Sequence, residues 1–216
     1  MPDRMDVRWL EPIGRIQRLF FPSERLPTTI CLIEHGGERH LIDTGLPGGE
    51  AALVERLAER NIKVDHIYLT HHHETHTAGV AALRSAGSPK VWCHRTEAPY
   101  CEQTGVAIDA TFGDDDTLAG FLQVIPAPGH TPGNVAFYWA EPQAMFAGDV
   151  VMGLGSAEQP LRLPGAWDTA SAPQVAIDAE RIGEFEITAL LPAHGKQFAA
   201  DGGRVLRKFL ERLGSC

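Results

Sequence analysis

Leu69-Thr70-His71-His72-His73-Glu74-Thr75-His76-Thr77-Ala78-Gly79 decides how the rest of the chain is read. Four of the ten histidines fall within residues 71–76, directly after Val64-Asp65-His66-Ile67-Tyr68-Leu69, whose apolar alternation is that of a strand. Small residues follow, so the order is strand, loop, helix start, with a helix expected over about His76 to Ser85. On an extended loop, residues two apart point the same way, which lets His71 and His73 face one point. His76 then arrives from the first turn of the helix. Three converging imidazoles suit a first-row transition metal; a solvated histidine-rich loop is the competing reading.

Working outward, the text before this stretch is strand-like. Ile13 to Phe21, Thr28 to Glu34 and Arg39 to Ile42 are apolar runs broken by Pro22, Pro27 and a hairpin signal at Gly36-Gly37. A helix carrying Leu53, Val54, Leu57 and Ala58 on one face precedes the strand at Val64. After the histidines come a short strand at Val91 to His94 and a helical turn from Arg95 to Glu102. Gly105 to Gly120, with its Asp114-Asp115-Asp116 triplet, reads as a solvated turn without the spacing of a calcium loop. Strands at Phe121 to Pro126, Asn134 to Trp139 and Ala144 to Phe146 follow, then a Gly/Pro-rich loop from Gly153 to Trp167. Asp168, Thr169 or Ser171 is placed to cap a helix bearing Val175, Ala179 and Ile182. A strand at Ile187 to Leu191 and an amphipathic helix with Val205, Leu206, Phe209, Leu210 and Leu213 inward close the chain.

One punctuation recurs. A strand ends, and a His or Asp flanked by Gly or Pro stands just past it: at Asp43, at His71 to His76, at His130, at Asp149 and at His194. Donors presented this way share one rim of a sheet, where α/β proteins place their sites. Each has a plainer reading alone: His194 as a helix cap, Asp149 as a turn former, His130 as a surface histidine. Together they describe a metal site.

Composition bounds the class. The chain has 216 residues, enough for one substantial domain, and a net charge of −9 that argues against nucleic acid. Arg204, Arg207, Lys208 and Arg212 read as the wet face of the last helix. Cys31, Cys93, Cys101 and Cys216 lack metal-ligand spacing; Cys93 and Cys101 are able to pair, but reduced thiols in a cytoplasmic protein are the expectation. Neither a signal peptide nor an apolar run of membrane-spanning length is found, so no membrane partner is expected.

Thr70-His71-x-His73-x-x-His76, Pro128-Gly129-His130-Thr131, Gly148-Asp149 and Ala193-His194-Gly195, in that order, resemble the metallo-β-lactamase fold superfamily of metallohydrolases. The resemblance runs from Leu41-Ile42-Asp43-Thr44-Gly45 through His194. It implies an α/β chain folded as one domain over residues 1–216, an αββα sandwich of two mixed β-sheets flanked by helices. It implies that His71, His73 and His130 hold a first metal, that His76 and His194 belong to a second, and that Asp149 bridges them and positions the nucleophile. Asp43 would orient a ligand. The cofactor implied is zinc, one or two ions, with iron or manganese as alternatives.

One position departs from the family pattern. The family has His-x-His-x-Asp-His, and Thr75 stands in the place of that catalytic aspartate. A neutral hydroxyl is a poor metal ligand and has no useful proton affinity near neutral pH. Glu74, on an extended loop, would point to the opposite side. The second site is therefore expected to be the weaker one.

The function implied is a metal-dependent hydrolase that attacks an ester, lactone or thioester with a metal-bound hydroxide. The Pro-Gly-His-Thr-Pro-Gly segment and Asp149 resemble the glyoxalase II-like and lactonase branches, although one helix after His194 takes the place of glyoxalase II's helical substrate domain. The alternatives are a mononuclear iron oxygenase resembling the persulfide dioxygenases, with His71, His130 and Asp149 on the iron, and a non-catalytic protein that keeps the fold. The expected partner is a small-molecule substrate, with the Gly153–Trp167 loop and Trp167 as candidate walls; a homodimer is the assembly that priors favour.

Overall fold

Short turns and then helical crossovers build the first sheet. The computed structural model describes residues 5–165 and 169–214 and divides the chain into two units, Met1–Phe112 and Gly113–Cys216. In the first, strands β1 (Arg8–Ile13), β2 (Ile16–Phe21), β3 (Thr28–His35) and β4 (Glu38–Ile42) pair antiparallel in sequence order. The expected single strand from Ile13 to Phe21 is two, because Gly14 at φ +56° turns the chain between them. The Gly36-Gly37 turn forms as expected, both glycines having positive φ, the requirement of a two-residue hairpin loop that follows the strand twist.

From β4 the pairing becomes parallel through β5 (His66–Tyr68), β6 (Lys90–His94) and β7 (Ala110–Phe112). Parallel neighbours need crossovers, supplied by α1 (Glu50–Glu59), by α2 (Glu74–Thr77) with α3 (Val80–Gly87), and by α4 (Ala98–Gln103). Leu41, Ile67 and Val91 of the strands and Leu53, Leu57, Val80 and Leu83 of the helices are buried in one core. Because β4, β5 and β6 run the same way, Asp43 and the His71–His76 stretch leave the sheet at one edge.

In the second unit β8 (Thr117–Leu118), β9 (Leu122–Pro126), β10 (Val135–Trp139) and β11 (Ala144–Gly148) pair antiparallel, and β12 (Ala189–Pro192) joins β11 in parallel. Helices α5 (Ala172–Gly183) and α6 (Gly202–Leu213) cover it, with Ile182, Leu206 and Phe209 in a core with Met145 and Leu190. Strands β9, β11 and β12 point the same way, so their C-terminal ends, which carry His130, Asp149 and His194, share one edge. Both sheets are mixed and helix-flanked.

The segment read as solvated turn, Gly105 to Gly120, contains β7 and β8, strands of three and two residues too short to show alternation. Ser171 caps α5, accepting a hydrogen bond from the Gln174 backbone N–H; Asp168 and Trp167 lie outside the described residues. Cys93 and Cys101 form no disulfide and are hydrogen-bonded thiols; that bond and burial raise the pKa of Cys93. Among the described residues no helix is long and apolar enough to cross a membrane.

Candidate metal centre

At the edge of the first sheet a buried carboxylate organises the histidines. Asp43 sits at φ +59°, a left-handed conformation that Asp tolerates better than most residues. Its Oδ1 accepts the Thr70 backbone N–H at 2.8 Å, and its Oδ2 accepts the Thr70 hydroxyl at 2.9 Å. Oδ2 also lies 2.8 Å from His76 Nδ1. An ionised carboxylate only accepts, so His76 carries its proton on Nδ1 and presents the Nε2 lone pair. The Thr70 hydroxyl has one proton, given to Asp43, so its oxygen accepts from His71 Nδ1 at 3.1 Å. His71 therefore presents Nε2 as well. Asp43, Thr70, His71 and His76 are all buried.

His71 Nε2 faces His73 Nδ1 at 3.1 Å. Two donor nitrogens on a tetrahedral zinc with bonds of about 2.0–2.1 Å stand about 3.3 Å apart, so the pair fits two vertices of such a shell. One nitrogen of His71 and one of His76 also lie within 4.8 Å of each other. His73 is the N-cap of α2, and its carbonyl accepts the backbone N–H groups of His76 and Thr77. The far end of that short helix is hooked by Thr44, whose N–H and hydroxyl both donate to the His76 carbonyl, at 2.7 and 2.9 Å. Gly79 must be small here, since a Cβ would lie 2.7 Å from the Thr44 carbonyl.

The helix therefore begins at Glu74 and not near His76, which corrects the extended-loop geometry expected for Glu74 and Thr75. His73 as an extended N-cap starts the turn. Glu74 is exposed and lines a surface groove with Ala78, Arg84 and Thr104, so it does not fill the aspartate's place. Thr75 is half-buried, next to His76 in the same turn. His72 turns to a different partner: its backbone N–H and Nδ1 both meet the buried Glu97 carboxylate, at 2.9 and 2.5 Å, and its ring stacks on Tyr100.

In the second unit three donors meet. Asp149 Oδ2 lies 3.4 Å from His130 Nε2, and Oδ1 lies 3.5 Å from His194 Nε2, with all three residues buried. Both separations exceed the about 2.7–2.9 Å of a direct charge-assisted hydrogen bond. The carboxylate offers one oxygen to each imidazole.

Close backbone packing holds these loops. Gly129 donates to Asp178 Oδ2 at 2.7 Å and accepts from the Ser171 N–H, while Ala170 N–H donates to the His130 carbonyl. A Cβ on Gly129 would lie 2.3 Å from Val175 N, on the first turns of α5. Burial raises the Asp178 pKa above its ordinary value, against the lowering effect of its bonds to Gln174 and Gly129. The His194 loop crosses Gly153: Gly153 N–H donates to the His194 carbonyl at 2.8 Å, and the Gly153 carbonyl accepts from Lys196 N–H. A Cβ on Gly195 would lie 2.3 Å from the Gly153 carbonyl oxygen, and one on Gly153 2.1 Å from the Lys196 carbonyl oxygen. The described part of the loop, residues 153–165, is thus partly a packed ribbon, with Arg162 bridged to Met152 and Leu161 buried.

Glu97 and Asp178 carried no signal in the sequence. They anchor their loops across 25 and 49 residues, and only the fold pairs them.

Two mixed sheets flanked by helices, each delivering imidazoles from its strand ends, place this chain among the αββα proteins with donor groups able to bind a metal. The chain belongs to the metallo-beta-lactamase superfamily, whose family model matches residues 24–194. It is 35% identical over 123 residues to a hydroxyacylglutathione hydrolase of Cereibacter sphaeroides, covering 55% of this chain and 45% of that protein. It is 35% identical over 130 residues to the thioesterase pkgB of Emericella nidulans, covering 59% of this chain and 37% of that one. The chain thus spans less than half the length of these curated relatives. A metallo-beta-lactamase from Pontibacter korlensis superposes with a TM-score of 0.79 at 19% identity, over 98% of this chain and 100% of that structure, which shows the fold.

Proposed function

We propose that this chain is a metal-dependent hydrolase of small thioesters, and that residues 1–216 act as one domain with the two donor sets on one centre. The family model runs unbroken across both units, and the named relatives are a hydroxyacylglutathione hydrolase and a thioesterase. His71, His73 and His130 would hold a first ion, His76 and His194 a second, and Asp149 would be shared. The observation that carries this reading is the His71 Nε2–His73 Nδ1 pair, with the Nδ1 protons of His71 and His76 already committed to Thr70 and Asp43. Zinc suits this nitrogen-rich set; when bound it supplies Lewis acidity that activates water and polarises the thioester carbonyl.

The chain's own residues do the rest. Asp43 and Thr70 hold two imidazoles in the ligating tautomer before any ion arrives, and Asp149 orients the attacking water. Thr75 offers no carboxylate, so the second ion is the weaker one and no side chain at that place accepts a proton near neutral pH.

Elemental analysis of protein purified without chelators, with thioester hydrolysis measured on the same samples, tests this reading. The wild type should hold close to one zinc, and Thr75→Asp should raise the count toward two and raise the rate. Absence of transition metal from the wild type, or absence of any hydrolysis from both proteins after zinc loading, would overturn it.

A further inference from the structure

A second feature lies outside the histidine rim, within the second unit. A groove of about 560 Å³ runs between α6, the segment after His194 and the ribbon around Leu161. That volume is in the range of small-ligand sites. Its floor is apolar, with Leu161, Phe198 and Phe209 buried. Its walls are basic, although the chain as a whole carries a net charge of −9.

Arg204, Lys208 and Arg212 stand four residues apart on α6, and all three line the groove. Four-residue spacing stacks them on one face, and eight residues of rise put the ends about 12 Å apart. Like charges at this spacing weaken a bare helix. Lys196 adds a fourth cation from the loop, its Nζ over the Phe198 ring. Two carboxylates also line the groove. Asp201 is engaged by Arg204, and Glu158 accepts from the Ser156 hydroxyl. Among the described residues Lys196, Lys208 and Arg212 form no ion pair; Arg212 makes one long bond, 3.3 Å, to the Glu158 carbonyl. The groove starts two residues beyond His194, where Lys196 N–H is tied to the Gly153 carbonyl.

We propose that this groove seats the nucleotide end of a coenzyme A thioester, the row of cations meeting its phosphates and the apolar floor its adenosine. The proposal rests on the thioester reading above and names the carrier of the acyl group. A row of cations about 12 Å long suits several phosphates on one small molecule better than the single phosphodiester of a carrier-protein arm.

The test uses the full chain, zinc-loaded, and adenosine 3′,5′-bisphosphate as the probe, followed by calorimetry. This probe carries the adenosine, the 3′-phosphate and one 5′-phosphate without the thiol, so its binding does not depend on hydrolysis. The double variant Lys208→Glu with Arg212→Glu should bind about a hundredfold more weakly, at about tenfold for each cation removed from the phosphates. The ratio of kcat/KM for an acyl-coenzyme A over a phosphate-free thioester should fall by a similar factor. Absence of binding to the wild type overturns the proposal. So does equal binding to the folded double variant, which would put the probe elsewhere, or loss of hydrolysis only for acyl groups on a carrier protein. If the probe binds as expected while no thioester is cleaved, the groove stands and the hydrolase reading falls.

Discussion

Replacing Asp43 by Asn exchanges an oxygen for an amide group and should unsettle the imidazole of His76, one of the proposed ligands. Asn tolerates the left-handed φ of +59° found at this position, so the backbone has no reason to move. Its Oδ1 can still accept the Thr70 backbone N–H, which lies at 2.8 Å in the wild type. The new amide, in the place of Oδ2, then points a proton at His76 Nδ1, where a proton already sits. To avoid two opposed donors, His76 must shift its proton to Nε2, the nitrogen that would ligate. The Thr70 hydroxyl, 3.2 Å from Oδ1, keeps that oxygen as its acceptor, so His71 Nδ1 still donates to the Thr70 oxygen and the change falls on His76.

A hydrogen bond to a charged group is worth about 1.5–3 kcal/mol. Partners that orient metal-bound histidines typically change metal affinity by about 10–100-fold, or about 1.4–2.7 kcal/mol. The two scales agree, so a loss of about 10–100-fold in zinc affinity is expected. Competition with a chromophoric zinc chelator measures it, with circular dichroism confirming that the variant is folded. A folded Asp43→Asn protein whose zinc affinity stays within about twofold of the wild type would refute the tautomer argument.

Two other substitutions probe the second unit. Gly129→Ala puts a Cβ against backbone atoms of α5, 2.3 Å from Val175 N, and should cost about 1–3 kcal/mol in urea unfolding of the zinc-free protein, with weaker metal binding as the His130 loop shifts; a change under about 0.5 kcal/mol contradicts the packing argument. Asp178 has a folded pKa above its ordinary 3.8 because it is buried. The folded state therefore holds that proton more tightly than the unfolded one, and this group's contribution to stability is lost as pH rises from the unfolded pKa through the folded one. Asp178→Asn removes that slope, so the variant should gain stability relative to the wild type as pH rises above about 4. Urea midpoints across that range check it, and a difference that is flat or of opposite slope rejects it.

Much of this molecule is legible in the order of its residues because the deciding interactions are local. Apolar runs bounded by Pro or Gly mark β2, β3 and β9, the glycine pair at 36 and 37 sets a hairpin, and the 3.6-residue stripe marks α1 and α6. The ligand types are local as well: a histidine or aspartate beside a glycine, just past a strand. Strands of two or three residues leave no period to read, which is why β7 and β8 passed as turn. Where His72 goes, what sets the tautomers of His71 and His76, and what pins His130 and His194 were decided by Glu97, Asp43, Asp178 and Gly153. Each acts on a partner 25 to 49 residues away along the chain. Such pairings depend on which strand ends the parallel order brings to one edge, and pairing at that range leaves no periodic trace in sequence. The residue types able to grip an ion belong to the sequence; their protonation and aim belong to the tertiary fold.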